Sequence, residues 1–218
     1  MNTLPRALIF DFGGVISKTL FETHEHSEAA LGLPKGSLTW RGPFDIASDS
    51  LWQQMQRDEL SERQYWLTRT KEVGAMLGEE WSTMQTLVQR SRGDNPDLAI
   101  RPQTVKVIEA AAHAGIPLAI LSNELDMFYG KALRKKVSCL KYFGTIVDAT
   151  YTGILKPDPR AYQLCCAEIN FSPSDCLFID DQLRNVYGAQ SVGMQTVHFD
   201  VLDPDKSCNE IRQLACLQ

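Results

Sequence analysis

Near its amino terminus the chain reads Ala7-Leu8-Ile9-Phe10-Asp11-Phe12-Gly13-Gly14-Val15-Ile16. A short apolar run that is bounded by turn residues predicts a buried strand of a parallel sheet. Asp11 then lies at the carboxyl end of that strand, which is where open α/β sheets bind their ligands. Gly13 and Gly14 let the backbone turn sharply and bring its N–H groups close to a bound anion. Taken alone, the stretch is equally consistent with a strand that ends in a polar turn.

The composition is that of an ordinary globular protein, with 218 residues, of which 44% are hydrophobic and 22% are charged. This length allows one large domain or a core with an inserted module. The longest apolar runs, such as residues 116–121, are too short to span a bilayer, and no signal-peptide pattern opens the chain. A net charge of −5 argues against nucleic acid as the main partner. We therefore expect a cytoplasmic protein with no membrane and no nucleic-acid partner.

Cysteine usage agrees with that expectation. The chain has six cysteines, and none forms a zinc-type CxxC pair. Several lie in apolar segments, so buried free thiols are favoured over disulfides. A reactive Cys165-Cys166 pair remains an alternative.

Residues 20–97 show helical periodicity and no strong strand pattern. Apolar residues recur at three- and four-residue intervals in segment 44–57 and again between residues 81 and 88. Ser61-Glu62-Arg63-Gln64 has the form of a capping box that opens another helix. We interpret residues 19–96 as a small helical module inserted after the first strand, and residues 1–18 and 97–218 as the core.

Strand and helix patterns alternate after the insert. This alternation predicts an α/β fold with a doubly wound (Rossmann-like) parallel sheet. The predicted elements are a helix at 103–114, a strand at 116–122, a helix from about 125, a strand at 144–149, a helix opened by Lys156-Pro157-Asp158-Pro159, and strands at 175–179 and 195–199.

If the strand order is 3-2-1-4-5, the first and fourth strands are neighbours at the topological switch point. Asp11 and the pair Asp180-Asp181 then meet at the mouth of one crevice, with Ser122-Asn123 beside them. Three converging acids repel one another unless a cation neutralises them. A hard divalent ion that prefers oxygen ligands suits such a site, and Mg²⁺ is the expected occupant.

These residues together resemble the haloacid dehalogenase-like (HAD) hydrolase superfamily, subfamily I with a C1-type helical cap. The resemblance rests on four segments in the right order and covers nearly the whole chain. The segments are Asp11-Phe12-Gly13-Gly14-Val15, Leu121-Ser122-Asn123, Gly153-Ile154-Leu155-Lys156-Pro157-Asp158-Pro159, and Phe178-Ile179-Asp180-Asp181 with Asn185 and Gly188-Ala189 behind it.

The resemblance implies a role for each motif residue. Asp11 would be the nucleophile that becomes an aspartyl-phosphate, and Lys156 would offset negative charge and keep Asp11 ionised. The metal would be held by the carboxylates of Asp11 and Asp181 and by the carbonyl of Gly13. Asp180 would belong to the same acidic group, orienting water or pairing with Lys156. The resemblance further implies that phosphate is bound by Ser122 and the N–H of Asn123.

Gly13 departs from the family pattern, because phosphatases of this superfamily usually carry a second aspartate there as general acid and base. A positioned acid is worth about 10²–10⁴-fold in rate. Three explanations compete: a substrate with a good leaving group, an acid lent by the cap, or weak catalysis in a binding protein. The cap candidates are Glu22, His24 and His26, although a solvated helix face is the ordinary reading of both histidines.

The resulting expectation is a Mg²⁺-dependent phosphatase of small phosphorylated metabolites that favours good leaving groups. A metal-independent 2-haloacid dehalogenase and a catalytically weak phosphate-binding protein are the alternatives. Gly13 and the pair Asp180-Asp181 argue against the dehalogenase, since the dehalogenases of this superfamily have an Asp-x-Tyr pattern at the first motif and lack the acidic pair. Within the insert, Trp40-Arg41 is a candidate for substrate selection, against the simpler reading of a surface arginine over a half-buried tryptophan. The oligomeric state is left open.

Overall fold

The computed structural model describes residues 4–93 and 95–217, apart from the side chains at positions 133 and 134. Its strands are β1 (Ala7–Phe10), β2 (Leu118–Ser122), β3 (Thr145–Asp148), β4 (Cys176–Asp180) and β5 (Gln195–His198). They form one five-stranded sheet in the order β3-β2-β1-β4-β5, and every pair is parallel. This confirms the predicted α/β class and strand order, and the predicted strand ends agree to within two residues.

The central strands are buried because both of their faces are covered. Every residue of β1, β2 and β4 is buried, as the near-continuous apolar sequence of a parallel strand predicts. In the pairing register, Phe10 of β1 lies opposite Ile120 of β2 and Ile179 of β4. The residues that follow Phe10 and Ile179 are Asp11 and Asp180, so the topology brings these two acids to the same edge of the sheet.

Between β1 and β2 the chain is helical wherever the structure describes regular elements. The α-helices of the insert are α1 (His24–Leu31), α2 (Ser50–Gln56), α3 (Glu62–Met76) and α4 (Met84–Arg92), and a fifth helix, α5 (Pro102–His113), precedes β2. The predicted capping box at the start of α3 is present, with Ser61 accepting from the N–H of Gln64 and the Gln64 side chain accepting from the N–H of Ser61. Reciprocal bonds of this kind satisfy two backbone donors that a helix start leaves unpaired.

The prediction of one continuous amphipathic stripe over 44–57 was wrong. Two single 3₁₀ turns, Gly42–Phe44 and Ile46–Ser48, come before α2. The interruption has a local cause, because the side chain of Asp49 accepts the N–H of Trp52 and so caps the helix at Ser50. The stripe from residue 81 is also shorter than expected: Trp81 is buried but lies before α4.

From residue 102 onward, helices and strands alternate as the sequence predicted. The helices are α5 (Pro102–His113), α6 (Leu125–Tyr129), α7 (Leu133–Lys136), α8 (Ala149–Thr152), α9 (Pro159–Glu168), α10 (Leu183–Ser191) and α11 (Pro204–Leu214). The segment 156–159 does open a helix, but the first helical residue is Pro159. Asp158 is the N-cap and accepts the N–H of Arg160, so Lys156 lies in the loop before the helix.

The chain divides into two compact units. The first comprises Met1–Lys18, Ile100–Asp126 and Lys131–Gln218, within the limits of the described residues, and it contains the sheet. The second comprises Thr19–Ala99 and also Met127–Gly130, a segment that the sequence placed with the core. Among the described residues, no helix is long and apolar enough to cross a membrane.

The second unit has a core of its own that is rich in aromatic side chains. Phe21 packs against Trp52 and Trp66 with ring centroids 5.2 and 5.3 Å apart. Asp49 is buried beside this cluster, where it accepts hydrogen bonds from Tyr65 at 2.7 Å and from Arg69 at 2.6 Å. A buried carboxylate needs such partners, because burying an unpaired charge destabilises the folded state by several kcal/mol, as an order of magnitude.

Candidate active site

Asp11 follows the last residue of β1 and continues its pairing with β4, since its N–H donates to the carbonyl of Ile179 at 2.8 Å. One helical turn comes next, in which the N–H groups of Ile16 and Ser17 both donate to the carbonyl of Phe12. Gly14 takes the left-handed backbone conformation in this turn, with φ at 80°, which glycine adopts without a steric penalty. The turn leaves Asp11 buried at the sheet edge.

Lys156 links the two acids that the sheet brings together. Its Nζ donates to Asp11 Oδ1 at 2.7 Å and to Asp180 Oδ2 at 2.6 Å, and its side chain is 1% exposed. Burial by itself lowers the pKa of this ammonium, but the two carboxylates together outweigh burial, and the pKa is raised. Lys156 is therefore a permanent cation at neutral pH.

The Asp11 carboxyl is balanced between opposing influences. Burial raises its pKa most strongly, Lys156 lowers it, and the neighbouring Asp180 raises it, which leaves the pKa at about 7. Lys156 thus stabilises the ionised carboxylate, which is the form that acts as a nucleophile.

Both oxygens of Asp180 are engaged within the protein. The carboxylate accepts the N–H of Gln182 at 2.8 Å, and the amide of Asn185 donates to each of its oxygens at 3.1 Å. Lys156 also donates to Oδ2, so the fully buried Asp180 carboxylate is stabilised by hydrogen bonds from the protein. These contacts suit an acid that orients Lys156.

Asp181 has a more open position and lies next to the first loop. A Cβ placed on Gly14 would be 2.6 Å from Oδ2 of Asp181, so the carboxylate occupies the space that a side chain at position 14 would need. Asp11, Asp180 and Asp181 each offer an oxygen, and the three atoms lie within 4.8 Å of one another. Such an all-oxygen group fits a hard divalent cation, which would relieve the repulsion between the acids.

Ser122 and Asn123 lie at the carboxyl end of β2, beside β1 in the sheet. Ser122 is buried. The Asn123 side chain accepts the backbone N–H of Lys156 at 2.7 Å and donates to the Lys156 carbonyl at 3.1 Å. This pair of hydrogen bonds holds the backbone of the loop that carries Lys156. The sequence did not indicate it, because the two residues are 33 positions apart.

Gly13 is exposed, and space is open where its side chain would be. The nearest atom to a Cβ built there is Oδ2 of Asp11, at 3.9 Å. A Cβ at position 13 would therefore meet no steric obstacle.

The three residues of the insert that were considered as general acids, Glu22, His24 and His26, differ in their surroundings. Glu22 accepts the N–H and hydroxyl of Thr19 at 2.8 and 2.9 Å, and the exposed His26 contacts the carbonyl of Arg92. The expectation of a solvated His24 was wrong: it is 4% exposed and packs edge-on against Trp40, with ring centroids 4.4 Å apart. Burial lowers the pKa of His24 to about 4.

The structure also tests the expectations for Trp40-Arg41 and for the cysteines. Trp40 is buried rather than half-buried, while Arg41 is exposed as expected. The cysteines are free thiols, and all except Cys216 are buried. Cys165 and Cys166, the candidates for a reactive pair, are both buried, and the Sγ of Cys166 lies 3.9 Å from the Sγ of Cys176.

Comparison with known proteins identifies the family to which this geometry belongs. A sequence model described as haloacid dehalogenase-like hydrolase matches residues 5–193. The chain belongs to this HAD-like hydrolase family. Its fold is similar to that of the magnesium-bound HAD-hydrolase YfnB from Bacillus subtilis, with a TM-score of 0.72 at 17% identity over 98% of this chain and 99% of that one.

Relatives within the HAD-like hydrolases carry different names. The sesquiterpene phosphatase astK of Aspergillus oryzae is 24% identical over 98% of both chains. The (S)-2-haloacid dehalogenase 4A of Burkholderia cepacia is 31% identical over 48% of this chain and 45% of its own. Acyl-CoA dehydrogenase family member 10 of mouse is 26% identical over 96% of this chain, which spans only 19% of that protein.

Proposed function

We propose that this HAD-like hydrolase is a Mg²⁺-dependent phosphatase of small phosphorylated metabolites, and that it belongs to the branch with glycine in place of the second acid of the first motif. The observation that carries the proposal is the position of Asp11. One of its oxygens accepts from Lys156 at 2.7 Å, and the carboxylate lies within the group of three acids that could hold a cation.

In the proposed reaction an Asp11 oxygen attacks phosphorus while the bond to the leaving oxygen breaks. Water then attacks phosphorus as the bond to the Asp11 oxygen breaks, which frees the Asp11 carboxylate and releases inorganic phosphate that keeps the protons of the water. Lys156 favours the ionised form of Asp11 and offsets charge as it develops. The hydroxyl of Ser122 and the backbone N–H of Asn123 are the proposed donors to the phosphate oxygens.

The proposed metal ligands are the carboxylates of Asp11 and Asp181 and the carbonyl of Gly13. Asp180 fits a place behind them, because its oxygens are already bonded to Lys156, Gln182 and Asn185. When bound, Mg²⁺ would neutralise phosphate charge and lower the repulsion between nucleophile and substrate.

The open space at Gly13 supports a preference for good leaving groups. The leaving group of an anomeric, acyl or aryl phosphate departs without a proton from the enzyme, so the absence of an acid at position 13 lowers the rate with such substrates only slightly. The helical unit that contains residues 19–96 is the proposed C1-type cap. A small-molecule substrate and a cytoplasmic location complete the proposal.

The test is a set of phosphate esters of graded leaving-group pKa, assayed with Mg²⁺ and with EDTA. Because a relative is named as a sesquiterpene phosphatase, the set includes an isoprenyl monophosphate beside a sugar 1-phosphate and alkyl phosphates. We expect Mg²⁺-dependent release of phosphate that rises steeply as the leaving group becomes more acidic. Asp11→Asn is the inactive control.

Two results would overturn the proposal. Chloride release from 2-chloropropionate without metal would identify a dehalogenase that uses Asp11 to attack carbon. No turnover of any ester by a folded protein that still binds phosphate would indicate a binding protein.

A further inference from the structure

The loop that follows the nucleophile is tied down by the first turn of α5. Three consecutive carbonyls accept hydrogen bonds from it. The guanidinium of Arg101 donates to Gly14 at 3.0 Å, the Thr104 hydroxyl donates to Val15 at 2.8 Å, and the N–H of Arg101 donates to Ile16 at 2.8 Å. Ser17 also bridges to Ile100, the residue before Arg101. The loop is therefore held along its length by one short segment more than 80 residues away in the sequence.

Arg101 is buried to a degree that is unusual for its type. It is 2% exposed and lies over the ring of Phe199 at 5.4 Å from the centroid. Arginine is almost never fully buried unless it is paired. Here one terminal nitrogen of its guanidinium donates to the Gly14 carbonyl.

The Gly14 carbonyl is a critical point of this loop. Gly14 has a left-handed backbone, and its Cα faces the carboxylate of Asp181 with no room for a side chain. The peptide before it carries the carbonyl of Gly13. The Gly14 carbonyl belongs to the following peptide, Gly14–Val15, so a hydrogen bond to it anchors the carboxyl side of Gly14, the residue against which Asp181 lies.

We propose that Arg101 is a positioning residue for the metal site: its buried guanidinium anchors the Gly14–Val15 peptide, and so helps to hold the left-handed Gly14 that connects this peptide to the Gly13 carbonyl and lies against Asp181. The inference rests on the proposed function, since it needs a cation at that site. Thr104 acts in the same way on the next carbonyl. Arginine suits this place because its planar fork keeps a donor aimed at a fixed acceptor, which a flexible lysine ammonium does not.

The test compares Arg101→Lys with Arg69→Lys. Arg69 is a matched control in the second unit, because it is also buried, also donates to a fixed partner, and also lies over aromatic rings. The readouts are the dissociation constant of Mg²⁺, measured by calorimetry on the full chain without substrate, and the urea midpoint of the metal-free protein. Loss of the partners that orient metal ligands typically weakens metal binding by about 10–100-fold.

We expect Arg101→Lys to weaken Mg²⁺ binding by at least about tenfold. Arg69→Lys should leave the Mg²⁺ affinity unchanged even though it lowers the urea midpoint. Equal Mg²⁺ affinity of a folded Arg101→Lys and the wild type would overturn the inference and leave the proposed function standing. An equal loss in both variants would also overturn it, since general destabilisation would then explain the effect.

Thr104→Val is the second variant, should Arg101→Lys fail to fold. It removes only the hydroxyl that donates to Val15, and a several-fold loss of Mg²⁺ affinity is expected; an unchanged affinity would contradict the role of this segment. If the wild type itself binds no Mg²⁺, the proposed function fails first and this inference fails with it.

Discussion

The carboxylate of Asp181 lies against Gly14, at the place where any other residue would carry its Cβ. A Cβ at position 14 would be 2.6 Å from Asp181 Oδ2, whereas a Cβ at position 13 would meet nothing closer than 3.9 Å. The two adjacent glycines therefore differ in their structural requirements. A side chain at position 14 would conflict with both the left-handed backbone and the contact with Asp181, whereas neither restriction applies at position 13.

We expect Gly14→Ala to impair the protein and Gly13→Ala to leave its fold intact. The left-handed backbone alone costs an alanine about 1–2 kcal/mol, and the new methyl group must also displace Asp181. Urea unfolding should show this loss for Gly14→Ala only, and Mg²⁺-dependent turnover should fall with it. Equal stability and activity of the two variants would show that the contact between Gly14 and Asp181 is unimportant.

Lys156→Met should damage both stability and turnover. It leaves Asp11 and Asp180 buried without their common cation, and breaking a buried ion pair in this way costs about 3–5 kcal/mol. Because Lys156 lowers the pKa of Asp11, its removal raises that pKa further. The acidic limb of the pH–rate profile should therefore move to higher pH.

The matched variant for this prediction is the double change Lys156→Met with Asp180→Asn, which removes one of the two uncompensated carboxylates. It should recover part of the lost stability without restoring turnover. A single variant that unfolds at the wild-type urea concentration would show that Lys156 does not compensate the two acids.

The sequence predicted the sheet order and the meeting of Asp11 with Asp180, because strand ends and turn residues are local signals and the parallel topology brings the ends of neighbouring strands together. The place of Lys156 beside these acids was implied by the family resemblance and not by the topology. It did not predict the roles of Arg101 or of the Asn123 side chain. Arg101 stands before a proline at a helix start, where a surface residue is the ordinary expectation, and its contacts with Gly14 and Phe199 come from residues distant in the sequence. His24 was missed for the same reason, since polar neighbours on its own helix indicate exposure while Trp40 buries it.

The stability of the protein should fall between pH 6.5 and about 4 because of His24. Its pKa is lowered to about 4 in the folded state, so an unfolded chain binds its proton first as the pH decreases. The stabilisation is complete above 6.5 and is lost by about pH 4; the difference between the two pKa values corresponds to about 3 kcal/mol.

His24→Phe keeps a ring against Trp40 and removes the titration. The free energy of unfolding, measured by urea at several pH values, should fall less steeply with decreasing pH in this variant than in the wild type. Parallel curves would mean that His24 titrates as it does in the unfolded chain.

Gly13→Asp should improve the turnover of alkyl phosphates, whose leaving groups need a proton. A Cβ at position 13 would meet nothing closer than Asp11 Oδ2 at 3.9 Å, so a side chain can begin there without a clash. A positioned general acid is worth about 10²–10⁴-fold, and an acid without evolved support should supply the lower part of that range. The measurement is kcat/KM against leaving-group pKa, which should become less steep in Gly13→Asp. Gly13→Asn is the control, because it fills the same volume and donates no proton, and it should keep the steep dependence of the wild type. If both variants keep the wild-type slope, then the acid either comes from another residue or is not needed, and the absence of a side chain at Gly13 does not set the choice of substrate.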